Sequence, residues 1–263
     1  MPVPLILLPP SEGKSSGGDG LPWSKTKQSF PELESARKEV IKALKTAMKA
    51  PVEERSKLLG VGEAKTDEAT KANLSVGTTK TLPAIERYTG VLYDALDYGT
   101  LSSKLKKRVN SQVVIFSGLW GVVRPVDLIP DYKLKMGAKL PSLEKLSSFW
   151  KPLISETLTR AASGVVWDLL PNEHSAAWDP SISGRRIRVS FLDDVMKDKK
   201  RTLVTVSHWN KLLKGSLVRF IAESQVDDPS GLKGFKHPEG YVYKPSLNVE
   251  DGSLIDVFLV AKR

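Results

Sequence analysis

Apolar residues crowd the stretch from Val3 to Leu8, and Pro9 and Pro10 close it, which predicts a buried strand feeding the loop Ser11–Gly18. Between Pro31 and Ala50 the period changes. Leu33, Ala36, Val40, Ile41, Leu44 and Met48 recur three and four residues apart, one face of a helix that must stop before Pro51. A second helix is expected from Pro51 to about Leu59, then a tight Gly60-Val61-Gly62 connection, then a third helix over Glu63–Leu74. Beyond a Thr/Gly/Lys connector at 75–83, Ile85–Leu96 and Leu101–Val109 read as helices and Val113–Phe116 as a strand. Ser117–Gly137 holds Gly118, Gly121, Pro125, Pro130 and Gly137, too many breakers for one regular element, so it is expected to be a long structured loop. A helix at Leu143–Ala162 and strands at Val165–Leu169, Arg186–Leu192 and Thr202–Ser207 follow. Asn210–Glu223 is helical, with Leu212, Leu213, Leu217, Phe220 and Ile221 on one side, and strands near Tyr241–Tyr243 and Leu254–Val260 come last. No repeat, coiled coil or clean linker interrupts the chain. The expectation is one mixed α/β (α+β) domain over 1–263, a central mixed sheet flanked by helices, with a helical insertion at about 31–80.

Composition narrows the chemistry. In 263 residues there is no cysteine, which excludes disulfides, thiolate zinc, iron–sulfur clusters and a cysteine nucleophile. Three histidines, His174, His208 and His237, show no ligand spacing, so neither a metal site nor a cofactor is expected, and His208 reads as structural. The start MPVPLILLPPSEGK has no basic segment and too short an apolar run for a signal peptide or a membrane span, so the cytoplasm is the default expectation and no membrane partner is expected. Forty Lys and Arg against 30 Asp and Glu give a net charge of +10, which draws the protein to polyanions. Double-stranded DNA or another polyanion is the leading partner; the alternative is a basic protein whose lysines only solvate it. Protein partners are unknown.

Several local patterns carry candidate chemistry. In a helix-hairpin-helix element the glycines of Gly60-Val61-Gly62 permit positive φ and aim backbone amides at a phosphate, with Lys65 and Thr66 adding a charge and a hydroxyl. Glu63 opposes this, and a plain turn between helices is the other reading. The Ser11–Ser15 loop ends in Gly-Lys-Ser but lacks the spacing of a nucleotide-binding P-loop. It still leaves a strand's carboxyl end, where open α/β sheets place ligands, so Glu12 and Lys14 are pocket candidates beside the alternative of an exposed turn. Arg124, after two glycines, either forks onto phosphate or carboxylate or pairs with Asp127 to pin its loop. Lys133, Lys135 and Lys139 form an intermittent basic edge, a solvated face or a phosphate rail. Asp168, Asn172, Glu173 and His174 follow a strand and supply an acid or base if they share a pocket with Lys14 or Arg124; the other reading is a cap at Asn172 and a surface His174. Lys211, Lys214 and Arg219 make a semi-basic helix suited to backbone phosphates or to snorkelling around the core.

The run from Phe116 to Gly137, FSGLWGVVRPVDLIPDYKLKMG, resembles the signature segment of the peroxide stress protein YaaA family. LILLPPSEGK at 5–14, RYTGVLYDAL at 87–96, FW at 149–150, FLD at 191–193, the Lys211–Phe220 helix and GFKHPEGY at 234–241 follow in family order, so the resemblance covers nearly the whole chain. It implies an intracellular protein that limits damage when peroxide meets free iron, with an α/β fold, a positively charged cleft, a helix-hairpin-helix element and DNA binding. The loop ending in Lys14, the Arg124 loop and the Lys211–Arg219 helix match family motifs, and the Gly60–Gly62 hairpin matches in location. The amino-terminal loop departs from the family's shorter Ser-Pro-Ala-Lys, which leaves Glu12 without a family role.

Without cysteine, thiol chemistry cannot destroy peroxide, so protection is expected to be indirect. The first reading is a DNA-binding stress protein with Lys14, Gly60, Val61, Gly62, Lys65, Thr66, Arg124, Lys133, Lys135, Lys211, Lys214 and Arg219 on phosphate. The alternative is an enzyme acting on a nucleic-acid base or nucleotide, glycosylase- or lyase-like, with Lys14, Arg124, Asp168 and Glu173 as its pocket. A partner that restrains free iron is a third reading.

Overall fold

The computed structural model describes residues 4–182, 184–206 and 209–263; Val3 and Ser207, expected in strands, and His208 lie outside the described residues. The all-apolar run forms β1 (Leu5–Leu8), buried along its whole length. Successive strand residues point to opposite faces, so burial of all four requires a covering layer on each side of the sheet.

The insertion builds α1 (Glu34–Ala47), α2 (Val52–Leu59) and α3 (Glu63–Leu74), in line with the three periodic segments. The chain continues through β2 (Leu82–Pro83), α4 (Ala84–Arg87), α5 (Val91–Leu96), α6 (Ser103–Gln112), β3 (Val113–Ser117), β4 (Gly121–Val123) and β5 (Leu128–Ile129). Then come α7 (Leu146–Ala161), β6 (Val166–Asp168), α8 (Asn172–Ser175), β7 (Arg186–Lys197), β8 (Lys200–Thr205), α9 (Asn210–Ser224), β9 (Val242–Tyr243), β10 (Val249–Asp251) and β11 (Leu254–Lys262).

The sheet runs β10-β11-β7-β6-β1-β3-β4, with β8 on β7 and β9 on β11. Its five inner strands, β11, β7, β6, β1 and β3, are parallel; Ile6 of β1 lies between Val113 and Trp167. The hairpin strands β4, β8 and β10, and the short β9, are antiparallel additions. In chain order the parallel strands stand 2-1-3-4-5, so the winding reverses between β1 and β6. In a doubly wound sheet the crevice outside the carboxyl ends at such a reversal is where ligands bind.

Where structure and expectation differ, the causes are local. The single helix expected over Ile85–Leu96 is split, because Gly90 takes φ 100° and the Tyr88–Thr89 backbone pairs with the amino-terminal loop: Lys14 bridges Tyr88, and the Thr89 N–H donates to Gly13 at 3.1 Å. The loop expected at 117–137 contains β4 and β5, and β2 and β10 are likewise too short to show a period. Arg186–Leu192 extends to Lys197 as one side of the β7–β8 hairpin. Arg37 stands on the buried stripe of α1, where its guanidinium donates to the Trp120 and Val122 carbonyls at 3.0 and 2.8 Å; burial pushes its pKa down to about 10. α9 crosses α5 at Gly215, where a Cβ would lie 2.1 Å from the Leu92 carbonyl oxygen. No helix among the described residues is long and apolar enough to cross a membrane.

Candidate functional site

β1 ends at Leu8 and β6 at Asp168, and the loops that leave them converge. Pro10, Ser11, Glu12 and Lys14 from the first, Glu173 and His174 from the second, and the segment Tyr132–Met136 line one cavity of about 80 Å³. Residues 132–136 alternate. Tyr132, Leu134 and Met136 are buried while Lys133 and Lys135 are only partly covered, as extended backbone dictates. Asn73 of α3 fixes this segment from behind: its buried amide donates to the Lys133 carbonyl at 2.9 Å and accepts the Lys133 N–H at 2.8 Å.

Lys14 is half-buried. Its Nζ lies 4.4 Å from the Tyr132 ring centroid and 5.7 Å from that of Tyr88, and donates to the Ser11 carbonyl at 3.3 Å. Burial is the main force that brings its pKa down to about 8; Asp131 and Glu12 oppose the shift, while Lys133 and Arg87 reinforce it. Behind it the Tyr132 hydroxyl bonds those of Tyr88 and Ser117, each at 2.7 Å, and burial raises the Tyr132 pKa to about 12. Buried Arg87 donates to the Ser15 carbonyl and, at 2.8 Å, to that of Gly17, so it clamps the loop that carries Lys14.

Glu12 is exposed, and its two oxygens lie 2.9 Å from the Lys133 Nζ and 3.6 Å from the Lys135 Nζ. The hydrogen bond from Lys133 holds its carboxyl below the usual carboxylate range. Lys135 also meets the hairpin: a Cβ on Gly60 would lie 2.7 Å from its Nζ. Glu173 accepts the Gly137 N–H at 2.7 Å. His174 is half-buried rather than on the surface; burial lowers its pKa, and its Nδ1 has no hydrogen-bond partner among the described residues. Asn172 is the first residue of α8 and not its cap, a place taken by Pro171 without a capping side chain.

At the hairpin, Gly60 has φ 62° and closes α2, while Gly62 has φ −69° and needs no glycine-only conformation. The Val61 N–H donates to the Ser56 carbonyl at 3.2 Å. Gly62 caps α3 without a side chain; the Lys65 N–H donates to the Gly62 carbonyl at 2.9 Å, which leaves the Glu63 and Ala64 amides without an acceptor inside the helix. Lys65 is exposed, whereas Thr66 is buried and its hydroxyl donates to the Gly62 carbonyl at 3.2 Å, which takes it away from any phosphate.

Other expected residues stand elsewhere. Arg124 lies at the amino-terminal end of β3, donating to the Ser111 and Val113 carbonyls at 2.9 and 3.1 Å, and the Asp127 carboxylate accepts its backbone N–H at 2.8 Å. It pins its loop and does not join Lys14. Asp168 is buried in an ion pair with Arg186 and accepts the Leu170 N–H at 2.9 Å, so its oxygens are engaged within the core. Arg219 pairs with Glu223 at 2.9 Å and with Asp97 at 3.4 Å, which ties α9 to the end of α5. Lys214 donates to the Leu169 carbonyl at 2.8 Å, and burial lowers its pKa. Lys211 and Lys139 are exposed, outside the cavity lining.

A second basic feature escaped the sequence reading. Lys38, Lys42, Lys45 and Lys49 of α1 and its end line a groove of about 370 Å³ with Trp23 and Gly77. Spacings of four, three and four put them on one helix face over about 16 Å. Among the described residues no group of three or more His, Asp or Glu side chains is placed to hold a metal ion.

The family model described as peroxide stress protein YaaA matches residues 5–247. A UPF0246 protein of Streptomyces coelicolor is 40% identical over 218 residues, covering 82% of this chain and 81% of that protein. One of Corynebacterium glutamicum is 39% identical over 225 residues, covering 84% and 86%, and one of Neisseria meningitidis is 30% identical over 170 residues, covering 64% and 65%. From β1 to the turn before β10 the match takes in every strand and loop that lines the cavity, and the chain belongs to the peroxide stress protein YaaA family.

Proposed function

We propose that this chain serves the peroxide stress response by gripping duplex DNA through its phosphate backbone, largely without reading bases. The observation that carries the reading is the convergence of Lys14, Lys133 and Lys135 at the strand reversal, with the Gly60 turn against Lys135. Amines and backbone amides recognise phosphate oxygens and carry no base code. The α1 lysine groove supports the same partner, since four amines in a row on one face suit a backbone of regular charge.

The test is duplex binding by fluorescence anisotropy across salt. Each phosphate neutralised adds about −0.9 to the slope of log K against log salt. Replacing Lys133 and Lys135 by Glu is expected to weaken binding and flatten that slope by about two. No measurable duplex affinity at about 50 mM salt, or an unchanged slope in the double variant, overturns the reading.

A further inference from the structure

DNA gripping needs charge at Lys14 and nothing else, yet the surroundings of this lysine are those of a reactive amine. We propose that the Lys14 amine is a nucleophile that condenses with an aldehyde carbon carried next to a phosphate, forming an imine in the cavity between β1 and β6. The biological substrate rests on the proposed function: within duplex DNA this chemistry is offered by a ring-opened abasic deoxyribose. The same chemistry is offered by a free sugar phosphate.

Four observations carry the inference. First, Nζ is held by two tyrosine rings and one carbonyl at 3.3 Å, and no carboxylate pairs with it among the described residues. Its lone pair is therefore not locked into an ion pair. Second, desolvation, helped by Lys133 and Arg87, outweighs the opposing charges of Asp131 and Glu12; with a pKa of about 8, roughly a quarter of the amine is neutral at pH 7.5. Third, about 80 Å³ lies below the roughly 300–1,000 Å³ that encloses a whole drug-sized ligand, so the cavity admits an end group and not a base. Fourth, Lys133 and Lys135 stand at the same cavity for the phosphate, and Glu173 and His174, whose Nδ1 has no partner among the described residues, for protons.

The step balances without a redox partner. The Nζ lone pair forms the C–N bond as the carbonyl π bond opens to an alkoxide. One proton leaves the nitrogen and one reaches the oxygen, through His174 or Glu173. The resulting hydroxyl departs as water with a second proton, leaving C=N. One water is released, and nothing is oxidised.

The experiment is borohydride trapping on the full chain, with an abasic duplex in one arm and 2-deoxyribose 5-phosphate in the other. Expected is a reduced adduct on the Lys14 peptide by mass spectrometry, at least tenfold above that on any other lysine, with a pH midpoint near 8 and not near 10.5. Lys14→Met and Lys14→Arg are expected to lose it, with melting curves confirming that they fold; the peptide map of the unaltered chain stands even if they do not. An adduct spread over surface lysines, or none in either arm while duplex binding persists, overturns the imine and spares the DNA reading. Trapping of the free sugar phosphate by a chain with no duplex affinity has the opposite meaning: the imine stands and DNA gripping falls.

Discussion

Glu12 pairs with both Lys133 and Lys135, so if these lysines grip phosphate as proposed, removing its charge should tighten duplex binding. Each contact joins the exposed Glu12 to a partly covered lysine, at 2.9 and 3.6 Å, and pairs open to solvent on one side are worth about 0.2–1 kcal/mol. An incoming phosphate must break both, a total of about 1 kcal/mol, or roughly a fivefold change in affinity. Glu12→Gln keeps the shape and removes the competition. It also raises net charge from +10 to +11, a long-range effect that must be separated from the local one. Glu250→Gln on exposed β10 makes the same change of net charge at a residue outside the cavity lining and serves as the control. Anisotropy titration of one duplex at fixed salt should place Glu12→Gln about fivefold tighter than wild type and clearly tighter than the control. The Glu12 carboxyl titrates below its ordinary range, so the advantage holds at neutral pH and fades only as pH falls through the folded-state value. If the variant folds and binds no tighter than the control, Glu12 does not compete with the ligand.

Lys14 titrates at about 8 in the fold against an ordinary value near 10.5, so between those limits the unfolded chain holds more protons and stability rises with pH. Lys14→Met should therefore be more stable than wild type near pH 7, by at most about 3 kcal/mol, and the gap in urea unfolding should narrow by pH 10; a constant gap contradicts the burial effect. Asn73→Ala removes both bonds to the Lys133 backbone and should lower stability by about 2–4 kcal/mol and weaken duplex binding, read by urea unfolding and anisotropy. Gly215→Ala improves helix propensity by about 1 kcal/mol but drives a methyl into the Leu92 carbonyl, so the melting temperature should fall and not rise.

Much of the frame is legible because it is periodic. β1 is an unbroken apolar run and α1 a three-four repeat, and both form where those patterns lie. The break at Gly90 is not legible, because what interrupts α4 and α5 is a backbone bridge from Lys14, over 70 residues earlier. In the site, Glu12 and Lys14 are visible from their place after a strand, and the Tyr-Lys-Leu-Lys-Met alternation at 132–136 was a further signal for the outward lysines. Asp168 and Arg219 mislead because their partners, Arg186 and Asp97, are set by tertiary packing. Arg37 and the lysines at 38, 42, 45 and 49 were readable as a cation on the apolar face and a stripe beside it, but attention to the apolar positions alone passes over both.

In the proposed scheme the two basic features and the half-buried amine rest on physical effects that respond differently to salt. The lysines on α1 and the partly covered ones at the cavity rim would act through long-range charge, which about 0.15 M salt screens beyond roughly 8 Å. The reaction proposed for Lys14 proceeds through its neutral form, whose population is set by burial against Tyr132 and Tyr88. Salt should therefore separate them: duplex retention falls by orders of magnitude between 50 and 200 mM if six or more phosphates are held. Trapping of the small sugar phosphate, which carries one phosphate group, should fall far less over the same range. A parallel collapse of both would place Lys14 among the charge contacts and leave its burial without a chemical role.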